Sequence, residues 1–589
     1  MRRPPSVFLR WQLPSVTRAL VAGALLTGCY SAGDGVSPPS DRVYFPVGLS
    51  LVDDAKYLAV VNSDFDLQYN AGTLAVLDVQ RLQDFVPRPC EADSDCDSGR
   101  CDRALDESDT GEHSYLCIEE GETDPCRGLG ERPAAARLLN PGLCNFLDPV
   151  RPPDDGKAVQ ISSVEIGAFA TDAVFRARPS HQGDEPLGRL FVPVRGDATV
   201  HWLDVLPGGK LDCGQERNHG ACDDAHRAGD DPDNENTRDL RLAPEPFGIA
   251  TDELGTAVLV TNQTSGKVSV FRNDWTSTPM GLQLEFEVAN LPSRPMGVVA
   301  LPTPGVSRAL ALTADEAAEL QMRRPGATPR EYYSPGFLVT FRNASEVDLI
   351  RYFGDEQSST ERPYAARANA ASITINSIGS DSRGIAIDDS KRLAREQACA
   401  ADAMAAGGNT EIASQCKLNE ADCSEGERAY LKCLHDEASQ ALDVFVASRA
   451  PSSLLVGRTT PVENALQSTE LPAFYDTVSL SQGPSRVVVG NVIVGEVEGQ
   501  LEYEPRVFVS CFDSRRVFVY DPVRRRIEVE IATGRGPHAL AVDEKNGHLL
   551  VGHFTDSFIG VVSLDRRYSH TYGKMLATVG EPSAPRASK

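Results

Sequence analysis

Aromatic residues are scarce in this chain of 589 residues: they make up 7 % of it, and three are tryptophan. Basic residues are short relative to acidic ones, with 58 Lys and Arg against 84 Asp and Glu, a formal net charge of -26. Such an acidic surface repels phosphate backbones and anionic lipid heads, which argues against nucleic-acid binding. Long apolar runs are missing as well. The only concentrated stretch, Ala19 to Leu26, is too short to span a bilayer. Several catalytic signatures are also lacking. The chain has no Gly-x-Ser-x-Gly elbow, no His-Glu-x-x-His helix, no phosphate-binding glycine loop and no dinucleotide fingerprint. The commonest nucleophile, zinc-protease and nucleotide chemistries therefore have no local support. No metal site and no cofactor is expected.

What is present begins with a targeting signal. Arg2, Arg3, Arg10 and Arg18 make a positive leader before the short apolar run. The run ends in Leu26-Thr27-Gly28-Cys29, which resembles the lipobox of bacterial lipoproteins. That resemblance implies cleavage after residue 28, lipidation of Cys29 and, with Tyr30 rather than Asp following, the outer membrane. The alternative is an ordinary secretory signal with an incidental cysteine. Loss of four arginines takes the mature chain to about -26 - 4 = -30. Residues 29–42 then read as a flexible tether rich in Gly, Ser and Pro.

Cysteine is plentiful, with 14 residues, and export turns such a count into disulfides. The cysteines fall into even groups: Cys90, Cys96, Cys101, Cys117, Cys126 and Cys144; then Cys213 and Cys222; then Cys399, Cys416, Cys423 and Cys433. Cys511 lies in an apolar strand and is expected buried and free. Each group sits in an insertion: 88–158, an acidic loop at 207–243, and 391–440. The last is rich in helix formers and reads as a helical hairpin, with Cys399 to Cys433 and Cys416 to Cys423 the pairing guessed.

An internal repeat organises the rest. Its clearest copy runs Gly536-Pro537-His538-Ala539-Leu540-Ala541-Val542-Asp543, then Gly547 to Val551, then Ile559 to Asp565. A second runs Pro246 to Asp252, Ala257 to Asn262 and Lys267 to Phe271. Weaker copies start at Pro46, Gly167, Pro295, Arg383 and Pro484, with third strands read at Leu74–Asp78, Thr199–Leu203, Phe337–Phe341, Ser453–Val456 and Val517–Tyr520. Seven units of short apolar strands and tight turns predict an all-β, seven-bladed propeller over 43–580, with 581–589 as a tail. Leu259-Val260-Thr261-Asn262 resembles the Tyr-Val-Thr-Asn repeat of bacterial β-propellers. The resemblance speaks to fold and not to activity, because such propellers serve unrelated functions.

Aligned on their first strands, the units present Val47, Gly167, Phe247, Met296, Arg383, Ser485 and His538 to the channel. None of these is acidic, which argues against a channel metal. With their neighbours they place Arg294, Arg383, Arg486 and His538 at one rim, a candidate grip for a carboxylate or phosphate. The competing reading is that these arginines satisfy turn carbonyls or pair with Asp at blade junctions. Asp93, Asp95 and Asp97 alternate as calcium ligands do, but Gly99 comes one place late and Ala104 stands where the loop needs Glu. A disulfide-stapled acidic turn fits better. The stretch 230–239 is read as a solvated loop. The function favoured is a lipid-anchored envelope platform that binds a protein or glycan partner. The alternatives are a channel-site enzyme such as a lactonase-like hydrolase, or a purely structural envelope protein.

Overall fold

The computed structural model describes residues 35–103, 113–136, 138–154, 156–179, 181–216, 220–230, 240–275, 281–302, 335–353, 364–371, 380–409, 424–438, 441–459 and 471–583. Its strands form seven antiparallel sheets arranged as the blades of a propeller. Blade one pairs Pro46–Val52, Tyr57–Asn62, Gly72–Asp78 and Gln160–Ile166 from the axis outward. Blade two pairs Val174–Ala177, Gly188–Val194, Thr199–Leu206 and Lys210–Asp212, with Arg227–Ala228 also on the third strand. Blades three and four begin with Pro246–Thr251 and Pro295–Ala300. Blades five, six and seven begin with Ser382–Asp388, Pro484–Val497 and Pro537–Asp543. Each blade adds three further strands in chain order.

The seven hydrophobic clusters coincide with the seven seams between neighbouring blades. Alternation along a strand explains this: Leu58 and Val60 face the seam with blade seven, while Ala59 and Val61 face the seam with blade two. A middle strand buried on both faces cannot alternate polar and apolar residues, so it reads as a continuous apolar run. Phe558–Ser563, buried at every position, shows the same behaviour. Outermost strands such as Arg526–Ala532 and Leu282–Val288 are half-buried and charged on alternate residues.

The first residues of six blades, all but blade five, follow one backbone rule. Phe45, Glu245, Arg294, Gly483 and Gly536 have φ of 45°, 56°, 63°, 85° and 66°, and each precedes a proline that opens the innermost strand. A register shift follows directly, as between Pro246 and Ile249 or Pro295 and Val298. Two places past that turn residue most blades carry a ring side chain, and the next residue is small. Gly248 and Gly297 have no room for more: a Cβ would lie 2.3 Å from the Met296 and Arg383 carbonyl oxygens of the next blade. Blade two obeys the same rule without proline, through Phe169 (φ 58°) and the bridge from Ala170 to Val194. Its ring residue is therefore Thr171, and Gly167, expected there from the sequence, lies in the connection after blade one.

Two other expectations are corrected. Phe337–Phe341 lies in the second strand of blade four, Gly336–Phe341, rather than in its third, which is Glu346–Phe353. Residues 207–243 are more than a loop, because they supply the outer strands of blade two. From residue 35 the expected tether runs along blade one, where Val36 O accepts from Asn70 N at 3.0 Å and Ser40 O from Gln160 Nε2 at 2.6 Å. Cys29, the leader, 231–239 and the tail beyond 583 lie outside the described residues.

Disulfides join Cys90 to Cys101, Cys96 to Cys117, Cys126 to Cys144, Cys213 to Cys222 and Cys399 to Cys433. The last links helices Ser390–Ala405 and Glu425–Ala438, as the hairpin reading expects. Cys416 and Cys423 lie outside the described residues. Cys511 is buried and free.

The insertion after the third strand of blade one reaches back to blade seven. Phe146–Leu147 adds a parallel strand to Met575–Val579. Leu143 N donates to Met575 O at 3.2 Å, and Gly580 N donates to Leu147 O at 2.9 Å. His570 of blade seven is bonded on both ring nitrogens, Nδ1 to Tyr115 N at 3.2 Å and Nε2 to Cys90 O at 2.9 Å. Leu82, Phe85 and Leu147 join the apolar seam between blades seven and one. The cysteine-rich insertion thus clasps the seam where the first and last blades meet.

Candidate functional site

A cavity of about 410 Å³ occupies the channel, bounded by the innermost strands of blades two to seven. That volume lies within the range of small-molecule sites. The ring at its mouth carries Thr171, Phe247, Met296, Arg383, Ser485 and His538. Beneath it, where other blades have glycine or alanine, blade two has Asp172 and blade six has Arg486.

Those two residues meet across the channel. Arg486 Nη1 and Nη2 donate to Asp172 Oδ2 and Oδ1 at 2.5 and 2.9 Å, a bidentate pair. The Asp172 side chain is 4 % exposed and that of Arg486 is 33 % exposed. Burial works against the Arg486 charge, but Asp172 more than offsets it and holds the guanidinium pKa above its ordinary value. Asp172 corrects the expectation that the channel lacks an acid. It is committed to an ion pair across the channel rather than at a blade junction.

Arg383 is paired as well. Its Nε and Nη2 donate to Asp381 at 2.7 and 3.0 Å, and Arg342 Nε donates to the same carboxylate at 3.1 Å. Two guanidinium groups share one acid, and they hold the Asp381 carboxyl below its usual range although burial alone would raise it. Arg449 stands behind, bonded to Pro484 O at 3.2 Å, its closest acid being the half-exposed Asp513 at 3.6 Å. Burial and then the charge of Arg383 push the Arg449 pKa down. Arg383 and Arg486 line the cavity, and Arg342 and Arg449 stand behind them without lining it, so four guanidinium groups with three carboxylate partners gather on this side of the channel. Sequence reasoning missed Arg342, just after the second strand of blade four, and Arg449, which ends the second strand of blade five. The recurring turn at that place in each blade was the signal that could have found them.

Arg294 is not part of the group. It occupies the left-handed turn position before Pro295, is exposed, and does not line the cavity. Of the four residues expected at the rim, the structure brings together Arg383, Arg486 and His538.

His538 keeps part of its surface toward the cavity and lies edge-on to Phe512, with ring centroids 6.5 Å apart. Burial, followed by the charges of Arg486, Arg449 and Arg383, pushes its pKa down to about 3, so the ring is neutral at ordinary pH. The aromatic contacts continue across the mouth from Phe512 to Phe554 (6.1 Å), from Phe554 to Phe65 (5.0 Å), and from Phe65 to Phe169 (5.8 Å). Phe65 is 51 % exposed.

Elsewhere the acidic turn of the first insertion is satisfied internally. Asp95 accepts from Glu91 N and Ala92 N, Asp93 from Cys101 N, and Asp97 pairs with Arg88. Their oxygens serve as turn caps, as the stapled-turn reading expects. Cys90, Cys96 and Cys117 cluster because they belong to disulfides.

His553 predicts a pH dependence. It is fully buried, stacks on Phe558 at 4.0 Å, and burial pushes its pKa down to about 3. The unfolded chain, with an ordinary value near 6.5, binds the proton first as pH falls, so stability declines below about pH 6.5. The expected slope from this residue is about 1.4 kcal/mol per pH unit until the folded value is reached. Urea unfolding between pH 7.5 and 4.5 should be visibly flatter for His553→Phe than for the parent chain; equal slopes would refute the assignment.

No family profile matches the chain, and no curated protein matches it. Among solved structures, the Pseudomonas aeruginosa periplasmic gluconolactonase is similar at 13 % identity, covering 83 % of this chain and 86 % of that one, with a TM-score of 0.39. Virginiamycin B lyase of Staphylococcus aureus matches at 8 % identity over 88 % and 94 %, with a TM-score of 0.34. The Dos1 propeller matches at 9 % over 90 % and 83 %, with a TM-score of 0.35. At these values the likenesses assign no activity, and the propeller rests on the strand pairing itself.

Proposed function

We propose that the chain is an exported, lipid-anchored protein of the bacterial cell envelope whose propeller is a binding platform, with the channel mouth its site for an anionic ligand. The carrying observation is that Arg383 and Arg486 line a cavity of about 410 Å³ with Arg342 and Arg449 close behind them, four guanidinium groups with three carboxylate partners. A desolvated site with surplus cations and a neutral imidazole favours a carboxylate or phosphate. The anchor rests on Leu26-Thr27-Gly28-Cys29 after the arginine leader. Among the described residues no helix is long and apolar enough to cross a membrane.

Thermal unfolding with millimolar acetate or phosphate, against chloride at equal ionic strength, tests the site. The expected result is a rise in Tm of several degrees in the parent chain, lost in Arg383→Ala and in Arg449→Ala. No anion-dependent rise, or a rise unchanged in both variants, would refute it. In the native host, Cys29→Ala should move the protein from the membrane to the soluble fraction.

A channel-site hydrolase is the second reading. It is favoured by His538, an imidazole lining the cavity that burial keeps neutral and so able to donate a hydrogen bond to a substrate carbonyl. Lactone hydrolysis that disappears in His538→Ala would decide for it.

A further inference from the structure

The walls of the channel differ sharply from its mouth. Below the guanidinium groups the cavity is bounded by Ile249, Val298, Val299, Ile385, Val487 and Val489. In the blade seams, apolar side chains such as Leu259, Val339 and Val509 are fully buried. On the innermost strand of blade four, by contrast, Gly297, Val298, Val299 and Ala300 are all only half-buried, and on blade six so are Val488 and Val489. Val298, Val299, Val488 and Val489 pack in part against the seams on either side of their strands, and as lining residues they leave the remainder of their surface to the channel. Phe247 and Met296, at the level of Arg383, belong to none of the seven seam clusters among the described residues. From Met296 to Ala300 the extended strand runs about 13 Å, at roughly 3.3 Å per residue. The site is therefore a cationic collar on an aliphatic shaft.

We infer that the channel takes an amphiphilic carboxylate, its head held by Arg383 in the field of Arg449 behind it, and its apolar body lying along Phe247, Met296, Val298 and Val299. The inference rests on the anion-binding reading of the mouth. A hydrophilic anion such as a sugar acid would satisfy the guanidinium groups but leave the shaft walls against water, forgoing the gain from removing apolar area. The helical hairpin is not needed for it. The Asp172–Arg486 pair crosses below the ring and leaves the walls of blades three to five on its other side, so the body is expected along that side.

Isothermal titration of the full exported chain with acetate, benzoate and octanoate tests the class. Octanoate is expected to bind at least tenfold more tightly than acetate, and to lose at least tenfold in Arg383→Gln. Val299→Thr, which puts a hydroxyl of the same size on the half-buried wall, should weaken octanoate at least threefold more than it weakens acetate; a matching Val299→Ala variant controls for folding. Benzoate as tight as octanoate supports the class and assigns the body contact to Phe247 and Met296 rather than the deeper shaft. Equal affinity for acetate and octanoate overturns the amphiphile inference while the anion site stands. No binding of any of the three overturns both.

Discussion

Arg486→Ala is expected to cost about 3–5 kcal/mol of unfolding free energy, because it leaves the Asp172 carboxylate inside the channel without its partner. Asp172→Ala should cost less, since Arg486 keeps a third of its side-chain surface in contact with the channel space. The pair joins blades two and six across the channel, so each single variant also removes a strut between blades that share no seam. The double variant restores at both places the small residue that the other blades carry, and it removes the stranded charge. It is expected to be more stable than Arg486→Ala alone, because a buried ion pair is often replaceable by small or apolar groups at little net cost. Urea unfolding of the four proteins gives the coupling energy. Additive losses would show that the two side chains act independently and would remove the pair as a fixture of the channel.

This ion pair also marks where sequence reading stopped. Five blades open with a left-handed residue followed by proline, and those blades fell into register from the sequence. Blade two has Ala170 where the proline would be, and the apparent frame slid to Gly167. The backbone follows the same rule there, since Phe169 takes the left-handed turn, but the residue that advertises the rule is gone. The slip hid Asp172 and made the channel look free of acids. Arg294 was misplaced for a related reason: it is the turn residue before Pro295, and it is exposed instead of standing on the ring.

The blade count was legible because middle strands buried on both faces make unmistakable apolar runs. Fourth strands were not, because half-buried sequences such as Gln160–Ile166 and Arg526–Ala532 mix charge with apolar residues as edges do. The helical hairpin announced itself through its helix formers. Docking of the first insertion against blade seven was invisible, since the contact between Phe146–Leu147 and Met575–Val579 joins segments more than four hundred residues apart. Ring residues on the same blade frame were easy to collect from the sequence. Arg342 and Arg449 were missed because they come from the ends of second strands, behind the ring.

That distant contact sets the second large effect. Blade seven draws its four main strands from Pro537–Val579 and blade one from Pro46–Ile166, so the seam between them has to be held by side-chain packing and by the insertion. Cys126–Cys144 spans 18 residues directly before the added strand and orders the segment from which Leu143 and Leu147 bond to blade seven. Replacing both cysteines by serine is expected to cost about 3 kcal/mol from the larger freedom of the unfolded loop, within the usual 2–4 for a disulfide. A fall of this size could come from any disulfide, so its location is the sharper test. Hydrogen exchange should accelerate in Met575–Val579 and Pro46–Val52, the two sides of the seam, while blades three to five keep their protection. The same double substitution at Cys213 and Cys222, a pair set between the outer strands of blades one and two, should disturb that seam instead and leave Met575–Val579 protected. If exchange at the seam were unaffected by loss of Cys126–Cys144, the apolar cluster of Leu58, Val60, Leu550 and Val561 would be sufficient to close the ring and the insertion would be free to serve recognition instead.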